Sequence, residues 1–233
     1  MKVFAISDLH LSINNPKPMD IFGPAWDNYV DKILAQWKEK VSDDDLVLLA
    51  GDFSWAMQLE DTKLDFELLK DLPGKKVIIR GNHDYWWKSI SAVRAFLPSG
   101  FYAIQNDAIK FGNVIVCGTR GWTISDSPDK SSLEDEKIFK REVIRLELTL
   151  KEALAKKAEG DKIVCMLHYP PVNFRREDTE FSKLLKQYEV DAVVFGHLHG
   201  YKNSQLKYFK DGIPYYLTSC DLTGNNIVEI AEV

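Results

Sequence analysis

Lys2-Val3-Phe4-Ala5-Ile6-Ser7-Asp8-Leu9-His10 is the stretch whose reading decides the fold. An apolar, strand-like run ends in two metal-ligand residue types spaced two apart. The arrangement recurs along the chain. Leu46-Val47-Leu48-Leu49 leads to Gly51-Asp52, and Val77-Ile78-Ile79 leads to Gly81-Asn82-His83-Asp84. Ile163 to Leu167 leads to His168, and Ala192-Val193-Val194-Phe195 leads to Gly196-His197-Leu198-His199-Gly200. Short continuous runs rich in β-branched residues fit strands covered on both faces. Open α/β sheets bind their ligands just beyond the carboxyl ends of such strands. All five histidines of the 233-residue chain lie in these blocks, which points to one site.

Between the runs the periodicity changes. Trp26, Tyr29, Val30, Ile33, Leu34 and Trp37 recur at helical spacing and are read as one apolar face. Helices are also expected around Leu64 and Leu68, around Ile90, Val93, Phe96 and Leu97, over Phe139 to Leu154, and over Phe181 to Tyr188. Ala108-Ile109-Lys110-Phe111 and Val114-Ile115-Val116-Cys117, joined by Gly112-Asn113, predict a hairpin. Leu206 to Phe209, Ile213 to Leu217 and Ile227 to Ile230 read as strands. Parallel-type units in front and hairpins behind give an α/β class of two packed sheets with helices outside. Residues 1–233 are expected to form a single domain. The loop-like segments, Ser12 to Pro24 and Gly121 to Ser132, follow strand ends and are placed to overhang a site there.

The formal net charge of -5 argues against a partner held mainly through a phosphate backbone, and no strong nucleic-acid signal stands out. No run of 18 apolar residues offers a membrane span. Cys117, Cys165 and Cys220 lack CxxC spacing and sit in or beside apolar runs, as expected of buried free thiols. Together with the absence of a signal peptide, they lead to an expectation of a cytoplasmic protein. Nothing in the sequence sets the oligomeric state.

Asp8 and His10 are two residues apart at a strand end, so both can face one ion. Gly51 lets the backbone turn and frees the Asp52 carboxylate. Asn82 adds a neutral oxygen, and His168, His197 and His199 add imidazoles. Two carboxylates, one amide and four imidazoles are too many for one ion. They suit two, about 3.5–4 Å apart. Asp8 and Asp52 remove two of the four charges of such a pair, and the surplus matches a phosphate group plus hydroxide. Nitrogen and oxygen donors without thiolate fit Mn, Fe, Zn or Ni.

In order and spacing, Asp8-Leu9-His10, Gly51-Asp52, Gly81-Asn82-His83-Asp84, His168 and Gly196-His197-Leu198-His199 resemble the calcineurin-like metallophosphoesterase superfamily. The resemblance runs from residue 7 to residue 200. It implies a four-layer αββα sandwich. It implies that Asp8, His10, Asp52 and His199 hold one ion and that Asp52, Asn82, His168 and His197 hold a second, with Asp52 bridging. His83 is implied to face the phosphate rather than a metal. The chain departs from the Ser/Thr protein phosphatases of that superfamily, where Gly-Asp continues to Asp-Arg-Gly. Here Trp55 and Ala56 take the places of that aspartate and arginine. The lipid-A pathway hydrolases carry arginine where His83 stands.

The expected activity is therefore hydrolysis of a phosphoester, foremost a small phosphodiester, by in-line attack of a hydroxide held between two divalent transition ions. The alternatives are a phosphomonoesterase, a nuclease and a non-catalytic metal-binding module. Asp52 and His83 are the expected catalytic residues. Asn82, His83, Arg120 and Arg175 are candidate substrate contacts, because arginine suits phosphate recognition; Arg176 shares that setting. At least half of Trp55, Trp86, Trp87 and Trp122 are expected to pack rather than line a pocket. Asp84 is expected to cap a helix beginning near Trp86.

Overall fold

In chain order the elements are β1 (Lys2–Ile6), α1 (Tyr29–Lys40), β2 (Leu46–Leu49), α2 (Lys63–Lys70), β3 (Lys75–Ile78), α3 (Ile90–Phe96), β4 (Phe101–Ala103), β5 (Ala108–Phe111), β6 (Val114–Thr119), α4 (Leu133–Lys156), β7 (Lys162–Leu167), α5 (Glu180–Gln187), β8 (Ala192–Phe195), β9 (Lys207–Lys210), β10 (Ile213–Leu217) and β11 (Val228–Glu232). The structure, a computed structural model, describes residues 1–14, 16–124, 132–200 and 205–233. Most of the expected Gly121–Ser132 loop falls on residues 125–131, outside the described residues.

The strands form two mixed sheets, ordered β11-β1-β2-β3-β4 and β5-β6-β7-β8-β10-β9. In the first, β1 to β4 are parallel and β11 runs antiparallel along β1. In the second, β6, β7, β8 and β10 are parallel, with β5 and β9 antiparallel at the edges. Alternation along each strand sorts the side chains into layers. Val3, Ala5, Leu48 and Val77 face Val116, Val164, Met166 and Val194 between the sheets. Phe4, Ile6, Val47 and Leu49 turn outward beneath Ile33, Trp37, Phe66 and Val93. Ile115, Cys165, Val193 and Phe195 turn outward beneath Leu146, Leu150, Phe181 and Leu185 of α4 and α5. The result is the αββα sandwich, and it explains why the strand runs are apolar without a break. All three cysteines are buried and unpaired. Among the described residues, no helix is long and apolar enough to cross a membrane.

Two details differ from the expectation. Trp26 does not belong to α1. It ends a separate 3-10 turn, Pro24–Trp26, and Asn28 at φ 49° breaks the path before the helix starts. α2 carries Leu64 and Leu68 as expected; Leu68 packs on the core beside the buried Phe66 and Leu69, while Leu64 is exposed. β4 pairs with β3 over three residues, too few for any sequence pattern. Trp86 and Trp87 are core residues, as expected for at least half of the indoles.

In-register parallel pairing brings the ends of β1, β2 and β3 to one edge, and those of β7, β8 and β10 to the same edge of the second sheet. The loops beyond are zipped together by backbone bonds, with the amides of Asp8, His10 and Leu11 donating to the carbonyls of Gly51, Asp52 and Phe53 at 3.0 Å.

Asp84 is not a helix cap. No helix begins near Trp86, and α3 is capped instead by the Ser89 side chain, which accepts from the Ala92 amide. The fully buried Asp84 carboxylate accepts five N–H bonds. Its Oδ2 takes the amides of Asp52 at 2.9 Å and Gly81 at 2.7 Å. Its Oδ1 takes those of Phe53 at 2.9 Å and Ser54 at 3.2 Å, and the Trp86 indole N–H at 2.9 Å. Burial and the neighbouring charge of Asp52 push its pKa up to about 6, against the pull of the backbone donors. Asp84→Asn would set an NH2 group against N–H donors. The expected loss is at least about 2 kcal/mol in urea denaturation, since bonds to a charged acceptor contribute about 1.5–3 kcal/mol each. Ser89→Ala, which removes the α3 cap, should cost about 1 kcal/mol.

Candidate metal centre

Seven side chains proposed from the sequence as ligands converge at the shared strand edge. Asp8 and His10 follow β1, and Asp52 follows β2. Asn82 follows β3, His168 follows β7, and His197 and His199 follow β8. Among the described residues, two groups have donor atoms close enough together to hold an ion: Asp8, His10 and His199, and Asp8, Asp52 and His168. Asp8 belongs to both groups, and Asp52 Oδ2 lies 3.8 Å from His10 Nε2 of the first and 3.4 Å from His168 Nε2 of its own. Asn82 Oδ1 lies 2.7 Å from His168 Nε2 and 2.9 Å from His197 Nδ1. Asp8 Oδ1 lies 3.3 Å from His199 Nε2.

The backbone pays for this convergence. Asp8 (φ 60°), His10 (φ 45°), Asp52 (φ 52°) and His197 (φ 70°) all take left-handed conformations that non-glycine residues seldom adopt. Such strain persists only where the surroundings enforce it, and it clusters at functional sites. Two glycines make room. Gly51 is itself at φ 89°, and a Cβ there would press on His168 Nδ1 and the Gly81 backbone. A Cβ on Gly196 would collide with Ser7 Oγ and Asp8 Oδ2.

Surrounding groups fix how each donor points. Ser7 Oγ at 2.6 Å, Ser219 Oγ at 2.9 Å and the His197 amide at 3.1 Å all donate to Asp8 Oδ2. His168 Nδ1 faces the Ala50 carbonyl at 3.0 Å, which places the proton on Nδ1 and leaves Nε2 as the donor to a ligand. His199 Nδ1 sits 2.9 Å from Asp221 Oδ1, and the Gly200 amide donates to Asp221 Oδ2 at 2.9 Å. Asp221, absent from the sequence-derived set, orients His199 as carboxylates orient metal-ligating imidazoles. Its only sequence signal is an acid shortly past the end of β10.

The electrostatics ask for positive charge. Burial disfavours a charged His168, yet Asp52 and Asp8 raise its pKa to about 9. Burial likewise opposes charge on His199, but its bonds to Asp221 and Asp8 push it up to about 10. His10 and His197, with burial dominant, fall to about 4. Asp8 is held well below the usual carboxylate range by His199, His168 and His10, although burial opposes this. Two buried carboxylates thus draw protons onto two imidazoles, at positions where bound cations would take over that charge. The donors are imidazole nitrogen, carboxylate and amide oxygen, with no thiol among them. The set fits divalent transition ions.

His83 stands at the open side. Its amide donates to Asp52 Oδ1 at 2.7 Å, and its buried Nδ1 has no partner. Burial lowers its pKa, with Asp52 opposing. Its ring is 4.6 Å from that of Trp55, which stacks on His10 at 4.6 Å and 21°. Trp26 closes the far side, its ring centroid 6.0 Å from that of His10 and 5.7 Å from that of His199. The Ser12–Pro24 segment does reach over this edge: Lys17 Nζ lies 3.3 Å from the Trp55 ring centroid, and Met19 Sδ accepts from the indole N–H.

Beside His197, a cleft of about 450 Å³ is walled by Tyr169, Val172, Phe174, Leu198 and Tyr208, with Arg176 among its polar lining. Arg175 is not in this lining; its side chain is 80% exposed and faces Glu177 at 4.0 Å. Arg120 lies 3.8 Å from the buried Glu142, and its guanidinium covers the Trp122 ring. Its carbonyl accepts the amides of His168 and Tyr169, both at 3.0 Å.

Comparison with known proteins agrees with this geometry. A probable cyclic nucleotide phosphodiesterase of Vesicomyosocius okutanii subsp. Calyptogena okutanii (strain HA) is 27% identical over 165 residues, covering 66% of this chain. The matched stretch spans 62% of that relative's length, less than two thirds. A protein of Thermus thermophilus superposes with a TM-score of 0.60 at 14% identity, over 97% of this chain and 96% of its own. A phosphopantetheinyl hydrolase from Mycobacterium tuberculosis superposes with a TM-score of 0.57 at 14% identity, over 100% of this chain and 96% of its own. These two likenesses establish the fold. Residues 1–201 match the family model of the calcineurin-like phosphoesterases, and with the Asp-His edge built from those same residues the chain belongs to that family of metal-dependent hydrolases.

Proposed function

We propose that the protein is a dinuclear phosphohydrolase acting on a small phosphodiester. One observation supports this above the others: Asp52 Oδ2 approaches both His10 Nε2 and His168 Nε2, at 3.8 and 3.4 Å, within reach of an ion held by either. Asp8, His10, Asp52 and His199 would hold one ion. Asp52, Asn82, His168 and His197 would hold the other. Mn, Fe, Zn and Ni all suit such donors. Two bound ions would supply activation of a water and a clamp on the phosphoryl oxygens.

The chain's own groups do the rest. Asp84 ties the Asp52 amide to that of Gly81, and the His83 amide holds the Asp52 carboxylate from the substrate side. The His83 imidazole, only half-buried beside Asp52, is available to stabilise charge on the phosphoryl oxygens or to carry a proton to the leaving oxygen. Beside the centre, the cleft at His197 suits an organic substituent on the phosphate. Its 450 Å³ falls within the range of about 300–1,000 Å³ of small-molecule sites. The relative described as a probable cyclic nucleotide phosphodiesterase favours a diester over a monoester.

Asp52→Asn is expected to lose both ions, as elemental analysis of purified protein would show. Retention of one full ion would mean that Asp52 serves a single site. His83→Ala is expected to keep both ions and lose about 10²–10⁴-fold in rate. A leaving-group series separates its two roles. If His83 supplies the proton, the loss is large for alkoxide leaving groups and small for p-nitrophenolate. If it stabilises phosphoryl charge, the loss is similar for both. Phosphoserine and phosphothreonine peptides should be hydrolysed more slowly than small diesters, because the Trp55 indole fills the space beside His83. Faster phosphate release from the peptides would overturn the diester reading.

A further inference from the structure

A second cavity, of about 220 Å³, lies behind the metal-binding loops and has a different character. Its wall carries Arg80, Lys88, Arg120, Arg141 and Arg145, with Glu142 as its one carboxylate. Arg145 bonds Glu142 at 2.6 Å, and Arg120 lies 3.8 Å from the same oxygen. The Thr119 hydroxyl donates to the other Glu142 oxygen at 2.8 Å, so this carboxylate is fully engaged. Lys88 is drawn outward to Glu60 at 3.3 Å. Among the described residues, no carboxylate pairs with Arg80 or Arg141, and the buried Nε of Arg80 has no hydrogen-bond partner. Counting Glu60 as well as Glu142, three positive charges remain without a counter-charge.

This arrangement is costly as it stands. A buried guanidinium N–H without an acceptor loses its hydration and gains nothing in return. Burial drives the Arg120 guanidinium below its ordinary pKa; Glu142 opposes that, while Arg80 and Arg141 reinforce it. Guanidinium forks match tetrahedral oxyanions with two parallel bonds, and one such anion would supply both the missing acceptor and the missing negative charge. The cavity is small, polar and opens beside α4, where Arg141 is exposed and Arg145 half-buried.

We propose that this cavity binds a phosphoryl oxyanion, either free or carried on a larger molecule. It lies outside the proposed metal-ligand set but touches the loops that present it. Arg80 immediately precedes Gly81-Asn82, and the Arg120 carbonyl accepts the His168 and Tyr169 amides. An anion held here is therefore bound by residues that adjoin two of the candidate ligand segments, one by a peptide bond and one by a hydrogen bond.

The test titrates inorganic phosphate by calorimetry into the metal-loaded protein and into the same protein after chelator treatment, with circular dichroism confirming that the chelated chain stays folded. The expected result is one phosphate bound per chain after chelation. Arg80→Gln and Arg141→Gln should each weaken it about tenfold or more, the loss expected for a hydrogen bond to a charged group. Added salt should weaken it too. Arg141 is exposed, so its substitution leaves the core untouched. No phosphate binding by the folded, chelated protein would overturn the proposal, as would binding unchanged in both variants. Because this measurement needs neither metal nor turnover, it can fail while the phosphodiesterase reading stands, and the reverse. Kinetics then identify the source of the anion. A KM raised by Arg141→Gln only for diesters bearing a second phosphate assigns the cavity to the substrate itself. Equal KM values, with a rate response to free phosphate that is not competitive, assign it to free phosphate.

Discussion

The Asp84 carboxylate sits at full burial with five N–H groups around it, and the placement of the centre depends on that cluster. Its donors come from two loops, one after β2 and one after β3. Parallel pairing brings those loops side by side but does not fix their spacing. Each loop carries a residue that must meet the other: Asp52 from the first, Asn82 and His83 from the second. A charged acceptor with bonds on both oxygens holds them with far more stiffness than a neutral turn could. The like charge of Asp52 nearby raises the Asp84 pKa, so the same proximity that orients the ligand destabilises the anchor. A cation at the proposed Asp52 position would relieve that conflict.

A second constraint is conformational. Four of the proposed ligand residues occupy left-handed backbone, at a cost of order 1–3 kcal/mol each. The core compensates. Two sheets and their helices leave Val3, Leu46, Leu48, Val77, Val116 and Val194 at zero exposure beneath the edge. The rigid part of the molecule ends where the strained part begins, as expected when strain is held by a scaffold rather than by the loop itself.

Legibility in the sequence follows the range of each interaction. The parallel strands were readable because burial on both faces makes them uniformly apolar. The convergence of Asp8, His10, Asp52, Asn82, His168, His197 and His199 at one sheet edge was readable because each follows such a run. β4 was hidden because three residues draw their strand character from the β3 ladder rather than from a pattern of their own. Trp26 looked like a helix-face residue because its spacing suits one. Only the left-handed Asn28 sends it instead to the rings of His10 and His199. Asp84 was noticed but assigned to a local role, since its partners in the β2 loop lie about thirty residues away. Asp221 was missed for the same reason: its bond to His199 spans 22 residues and a strand pair.

The surroundings of the centre are asymmetric, and the asymmetry has a structural origin. On the β8 and β10 side, Leu198, Tyr208 and Tyr169 leave an apolar cleft at His197. On the β3 and β6 side, Arg80 and Arg120 leave a cationic cavity behind Asn82 and His168. His168 is joined to both sides. Its amide is held by the Arg120 carbonyl, and its carbonyl accepts the Gly196 amide that leads into His197. Arg120 is thus one hydrogen bond from His168, and a second hydrogen bond leads from His168 to Gly196, the residue before His197. The path runs along backbone bonds between packed strand ends, which are short and stiff. Backbone hydrogen bonds at the strand ends thus join the Arg120 wall of the cationic cavity to the His168 and Gly196 backbone that borders the apolar cleft.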